Sequence, residues 1–168
     1  MAQTGKSIAI PAILKVGKGA LENIGGYLRE ENFKTAVIYF GNGLIELFGV
    51  QVMDSLREAG IEVLEYREID TVCIDDIVEM AFTLPNNVQT IIAVGGGKVI
   101  DAGKYAAFLR GLPFVSVPTS SSSDGFSSAS ASLVVEGILS RTIPPGCSER
   151  ASAQSCSPPF WQSSPRNH

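Results

Sequence analysis

The chain has 168 residues, 45% of them hydrophobic, with 17 glycines and a formal net charge of −4. That length is enough for one domain with a real core, or for a core plus a loose tail. The charge and the absence of any Lys/Arg cluster exclude a nucleic-acid surface. No apolar run reaches the ~20 residues that span a bilayer.

Three cysteines, Cys73, Cys147 and Cys156, form no CxxC pair, and Met1 to Lys6 runs into a strand-like segment without an apolar leader. Neither a disulfide framework, a zinc knuckle nor a secretory signal is expected, and a cytoplasmic location is the default. Residues 8–17 read as an extended lead-in, a hairpin or edge pair that Pro11 keeps off a central position. Residues 21–31 suit a short amphipathic helix. Lys34 to Phe40 is a β-branched and aromatic strand closed by Gly41-Asn42-Gly43. The helix expected over 44–59 carries Leu44, Leu47, Phe48, Val52 and Leu56 on one face and stops at Gly60. Ile61 to Tyr66 is the next strand, and 75–84 a helix with an acidic first turn, ended by Pro85.

The strand Gln89 to Val94, the triplet Gly95-Gly96-Gly97, a helix to Arg110 and the strand 113–117 complete the alternation. In that helix Val99, Ala102, Ala106 and Leu109 recur at helical spacing. Strands alternating with helices through short turns predict an α/β fold: a Rossmann-like parallel sheet with helices on both faces. After Glu136 the character changes: 7 of the last 32 residues are Ser and 5 are Pro, including Pro144-Pro145 and Pro158-Pro159. Such a segment buries too little surface to offset its ordering entropy. The expected organisation is a nucleotide-binding domain over 1–136 and a disordered tail over 137–168, foreign to the domain before it.

Two loops carry chemistry. A glycine triplet between a buried strand and a helix start lets backbone N–H groups approach a phosphate, and the helix N-terminus adds about half a positive charge. It is neither the G-x-G-x-x-G fingerprint nor a P-loop, and a tight βα turn without a ligand would look the same. Asp101, four residues after Gly97, suits helix capping or holding the turn in shape. About 20 residues on, Val117-Pro118 leads into Thr119-Ser120-Ser121-Ser122-Ser123-Asp124-Gly125. The hydroxyls can donate to phosphate or ribose oxygens, and Asp124 serves as an Asx-turn residue or a ligand for a substrate hydroxyl. Two such loops at strand C-termini point to one nucleotide site. NAD-specific sites carry a carboxylate near the end of the second strand. The segment after the 34–40 strand, Gly41-Asn42-Gly43, has neither carboxylate nor arginine, which permits NAD or NADP.

Val94-Gly-Gly-Gly-Lys-Val-Ile-Asp101, Ser116-Val-Pro-Thr119 and Ser123-Asp-Gly125 give residues 8 to 136 a specific resemblance. They resemble the amino-terminal part of sn-glycerol-1-phosphate dehydrogenases, in the superfamily of 3-dehydroquinate synthase, glycerol dehydrogenase and iron-containing alcohol dehydrogenases. The resemblance implies that Gly95, Gly96, Gly97, Lys98, Val99, Ile100 and Asp101 hold the pyrophosphate of NAD or NADP. It places Thr119, Ser120, Ser121, Ser122 and Ser128 along the cofactor and Asp124 on substrate beside the nicotinamide. The implied reaction is reversible hydride transfer between dihydroxyacetone phosphate and sn-glycerol 1-phosphate, with zinc or nickel as Lewis acid. The implied partner is a small phosphate substrate, with no nucleic acid or membrane, in a possible homo-oligomer.

The family holds its metal with one Asp and two His of a second, helical domain. This chain has a single histidine, His168, and no Asp after Asp124. No metal ligand or catalytic residue is therefore assigned, and the expectation is a truncated or frame-shifted product, inactive by itself, that lacks the helical domain. Two other functions share the glycine turn: a lyase like dehydroquinate synthase, and a nucleotide-binding module without catalysis.

Overall fold

The computed structural model describes residues 19–120, 131–135 and 138–141, with Val135 and 138–141 as backbone only. The two most apolar runs of the sequence become the middle of a sheet. β1 (Thr35–Gly41) and β3 (Thr90–Gly95) lie side by side, and Ala36 to Phe40 and Ile91 to Val94 are wholly buried. A strand covered on both faces shows no apolar/polar alternation, which is why these runs read as continuous. β2 (Glu62–Ile69) and β4 (Phe114–Pro118) flank them in the order β2-β1-β3-β4, with every neighbouring pair parallel.

Helices α1 (Ile24–Glu30) and α2 (Val50–Glu58) cover one face, burying Ile24, Leu28, Val52 and Leu56 against Ile38, Phe40, Ile92 and Val94. On the other face, α3 (Ile74–Thr83) and α4 (Gly97–Arg110) pack Ile77, Ala81, Val99, Ala102 and Ala106 against Val37, Tyr39, Ile91 and Ala93. Each of the larger side chains contributes about 1.5–3 kcal/mol by leaving water. The expected α/β sheet with helices on both faces is thus present. The chain leaves β1 for β2 on one side and returns to β3 on the other, so strand order reverses between β1 and β3. That reversal is a topological switch point, where open α/β sheets place their ligands.

Three elements differ from the sequence expectation. The helix over 44–59 begins with a π-helical turn, Ile45–Gly49, before α2. The wider turn shifts the helical phase, so Leu44, Ile45, Phe48, Val52 and Leu56 pack inward while Leu47 stays 70% exposed. The strand expected to end at Tyr66 runs on to Ile69. Its later residues are charged because β2 is an edge strand, and Arg67 pairs with Glu65 two positions away on the same side.

Residues 138–141, expected in the tail, form strand β6 (Ile138–Arg141), antiparallel to β5 (Ser132–Val135). The expected boundary after Glu136 falls inside this hairpin. Leu133 is fully buried in the core on the α3/α4 face, and Val134 N–H donates to Val72 O at 2.8 Å. Strands this short leave almost no period to detect. The lead-in over 8–17 and the Pro/Ser segment beyond residue 141 lie outside the described residues.

Candidate functional site at the strand switch point

The glycine turn owes its shape to close packing at its first residue. Gly95 ends β3 with φ +155°, and a Cβ there would lie 2.4 Å from Val99 Cγ1 and 3.2 Å from Gly41 N. No side chain fits, so β1 and β3 end almost in contact. Gly96 differs. Its φ of −86° suits any residue, and a Cβ would meet only Ser120 Oγ, at 3.7 Å. Any requirement for positive φ in the triplet therefore rests on Gly95, while the space above Gly96 is open.

Helix α4 starts at Gly97 with no side-chain cap. Its first intrahelical bond runs from Ile100 N–H to Gly96 O at 3.2 Å. The N–H groups of Gly97, Lys98 and Val99 therefore have no partner within the helix and face its N-terminal end. This end opens on a cavity of about 490 Å³ lined by Gly41, Asn42, Leu44, Ile69, Asp70 and residues 96–99. Backbone donors and the positive end of a 14-residue helix meet there, and the exposed Lys98 belongs to the lining, which suits a phosphate or pyrophosphate.

Of the expected cofactor residues, the structure brings Gly96, Gly97, Lys98 and Val99 onto this cavity, with Gly95 shaping it from below. Thr119 N–H donates to Gly95 O at 3.0 Å, which sets the start of the hydroxyl run against the turn, with Ser120 beside Gly96. Two residues of the run have other duties. The Ile100 side chain is fully buried in the core, and its N–H is already spent on Gly96. Asp101 turns away from the cavity: Oδ2 accepts the Ser132 N–H at 3.1 Å, and Oδ1 lies 3.6 Å from Lys104 Nζ. It anchors β5 on α4. Ser121, Ser122, Asp124 and Ser128 lie outside the described residues.

The lining also includes Asp70, which no sequence motif marks. It stands one residue past β2, which runs three residues beyond the expected end at Tyr66. Glu68, also near this end, accepts the Gly43 N–H at 2.8 Å and ties the Gly-Asn-Gly turn to β2. Below the site, Tyr39 Oη is buried without a hydrogen-bond partner among the described residues. Burial pushes this phenol above its ordinary range, while Arg67 and Arg110 pull the other way. Among the described residues no three His, Cys, Asp or Glu side chains gather as a metal-binding group. No described helix is long and apolar enough to cross a membrane.

A family model described as iron-containing alcohol dehydrogenase matches residues 15–147. Glycerol-1-phosphate dehydrogenase [NAD(P)+] of Methanothermobacter thermautotrophicus is 34% identical over 133 residues, covering 76% of this chain and 37% of that protein. The protein of the same name from Thermofilum pendens is 36% identical over 121 residues, covering 71% and 34%. Among solved structures, glycerol dehydrogenase from Schizosaccharomyces pombe superposes with a TM-score of 0.65 at 25% identity, covering 75% of this chain and 32% of that one. Alcohol dehydrogenase from Oenococcus oeni gives a TM-score of 0.72 at 20% identity, covering 82% and 42%, a likeness of fold. The chain spans about a third of the length of the curated relatives it matches.

Proposed function

The chain belongs to the iron-containing alcohol dehydrogenase family, and from that premise we propose that its α/β domain is the dinucleotide-binding half of an NAD(P)-dependent oxidoreductase. The reaction proposed for the whole protein interconverts dihydroxyacetone phosphate and sn-glycerol 1-phosphate. The relatives' shared name, glycerol-1-phosphate dehydrogenase [NAD(P)+], supports that choice. The observation that carries the cofactor half is the glycine turn at the switch point. Three N–H groups without intrahelical partners, a residue with open space above it and a cavity of about 490 Å³ meet there.

NAD(P) fits these residues. The N–H groups of Gly97, Lys98 and Val99 would bind its pyrophosphate, with Lys98 offsetting the charge. When bound, the cofactor supplies the hydride. Thr119 and Ser120, held against the turn, lie where the cofactor would continue toward β4. Asp124 is proposed to hold a hydroxyl of the phosphate substrate beyond them. The family's zinc or nickel has no matching ligand set among the described residues. The part these residues play is to bind the cofactor and orient it.

Titration of the folded chain with NADH and NADPH, followed by nucleotide fluorescence, tests this proposal. Gly96→Val should leave thermal stability within about 1 kcal/mol, because its φ is ordinary and its Cβ meets nothing closer than 3.7 Å. The branched side chain would fill the space a phosphate needs, and affinity should fall at least tenfold, about 1.4 kcal/mol. Unchanged binding by a folded Gly96→Val chain would rule the turn out as the pyrophosphate site.

A further inference from the structure

The strand register sets a carboxylate beside the expected adenosine position. β1 pairs with β2 through Phe40↔Glu68 and Gly41↔Ile69, so Asn42 and Asp70 leave the sheet side by side. On the other side of β1, Phe40 pairs with Val94, which sets the glycine turn against the same strand end. The edge therefore runs Asp70, Asn42, Gly96, and all three line one cavity. With neighbouring strands about 4.8 Å apart, Asp70 stands roughly 10 Å from the turn. No residue of β4 belongs to the described lining. A dinucleotide with its pyrophosphate on α4 thus has room for its adenosine over β1 and β2, and its nicotinamide is directed toward Thr119 and Ser120.

We propose that Asp70 reads the 2′ position of that adenosine ribose, so that this chain selects NAD(H) over NADP(H). The inference rests on the cofactor reading above and adds to it a specificity determinant. Asp70 is exposed and has neither a hydrogen bond nor an ion pair among the described residues, so its oxygens are available to ribose hydroxyls. Its neighbour Glu68 is already engaged with the Gly43 N–H. A 2′-phosphate would bring nearly two negative charges against both carboxylates. The one cation in the described lining, Lys98, sits in the first turn of α4 at the pyrophosphate end. The selection principle is that of other dinucleotide sites, a strand-end carboxylate accepting from the 2′-hydroxyl. Here the carboxylate comes from a strand that precedes the glycine turn in the chain.

The test is a titration of wild type, Asp70→Asn and Asp70→Arg with NADH and NADPH, with circular dichroism to verify folding. Wild type should bind NADH at least tenfold tighter than NADPH. Asp70→Asn should bring the two within about threefold, and Asp70→Arg should reverse the order. Equal or tighter NADPH binding by wild type, or an unchanged ratio in folded Asp70→Asn, overturns the assignment of Asp70 and leaves the cofactor reading standing. A folded wild type that binds neither nucleotide overturns both.

Discussion

Two glycine turns lie side by side at the C-terminal edge of this sheet, one after β1 and one after β3, and only the second resembles an anion site. Both follow buried parallel strands and both lead into helical structure. After β1, Gly41-Asn42-Gly43 gives way to Leu44 and a π-helical turn, and the Gly43 N–H is taken by Glu68 at 2.8 Å. After β3, a regular helix of 14 residues starts two residues past the strand, with three N–H groups that lack intrahelical partners. Glycine count does not distinguish the two. What distinguishes them is whether the N–H groups are already satisfied and whether a straight helix dipole stands behind them.

The sharpest way to break this comparison is to remove the close contact that lets the two turns adjoin. Gly95→Val would force a Cβ to 2.4 Å from Val99 Cγ1 at a φ of +155°. Strain and overpacking together should cost more than about 2 kcal/mol. Urea unfolding monitored by circular dichroism measures it. A value within about 0.5 kcal/mol, the ordinary scatter of surface substitutions, would mean the turn relaxes freely and its shape is not set by packing. Placed beside Gly96→Val, which should spare stability and lose ligand, the variant separates the residue that builds the turn from the one that makes room in it.

Next in size is Asp101→Ala, which removes the acceptor for the Ser132 N–H. The carboxylate is largely covered, with 14% of its side chain accessible, so the loss should be about 1–2 kcal/mol. Hydrogen exchange should quicken at Ser132 and Val134 more than in β1 or β3. Uniform acceleration across the sheet would argue that Asp101 holds the domain as a whole and not β5 in particular.

β1, β3 and α4 were legible because burial on both faces imposes long apolar runs and helical spacing on them. The glycine turn proposed to hold the nucleotide was legible at Gly95 to Gly97 because the triplet sits between such elements. The rest depended on register. Asp70 is an ordinary acidic residue until β2 is known to reach Ile69 and to pair Ile69 with Gly41. Leu47 fits the apolar face of a regular helix, and only the π-helical turn removes it from the core. Asp101 reads as part of a phosphate motif, and its partner is a backbone N–H 31 residues away that no local pattern indicates.

The two central strands differ in one buried row as well. Tyr39 of β1 stands beside Ala93 of β3, and its hydroxyl has no partner among the described residues. Burial raises its pKa above 10.0 in the folded state. As pH rises past that value the unfolded chain loses the phenolic proton and the folded chain keeps it. Stability should therefore fall, with this one group contributing a slope of about 1.4 kcal/mol per pH unit until the folded pKa is reached. Below that window the group contributes no pH dependence. Tyr39→Phe should leave stability at neutral pH unchanged or slightly higher, since no hydrogen bond is lost, and should flatten the alkaline decline. An identical decline in wild type and Tyr39→Phe would place the titrating group elsewhere.

The smallest expected effect lies at the other turn. Glu68→Ala removes the carboxylate that accepts the Gly43 N–H, but both residues are exposed, and water can take over the bond. The stability cost should be no more than about 0.5–1 kcal/mol. Released from Glu68, the turn gains one free donor, yet the π-helical start behind it still supplies no regular helix end. Inorganic phosphate or pyrophosphate should therefore gain no affinity for the chain. Parallel titrations of wild type, Glu68→Ala and Gly96→Val with pyrophosphate test this directly. If Glu68→Ala strengthened pyrophosphate binding several-fold, N–H satisfaction alone would separate the two turns, and the regular helix behind β3 would not be required. If only Gly96→Val altered binding, the straight helix start would be the component that the β1 turn lacks.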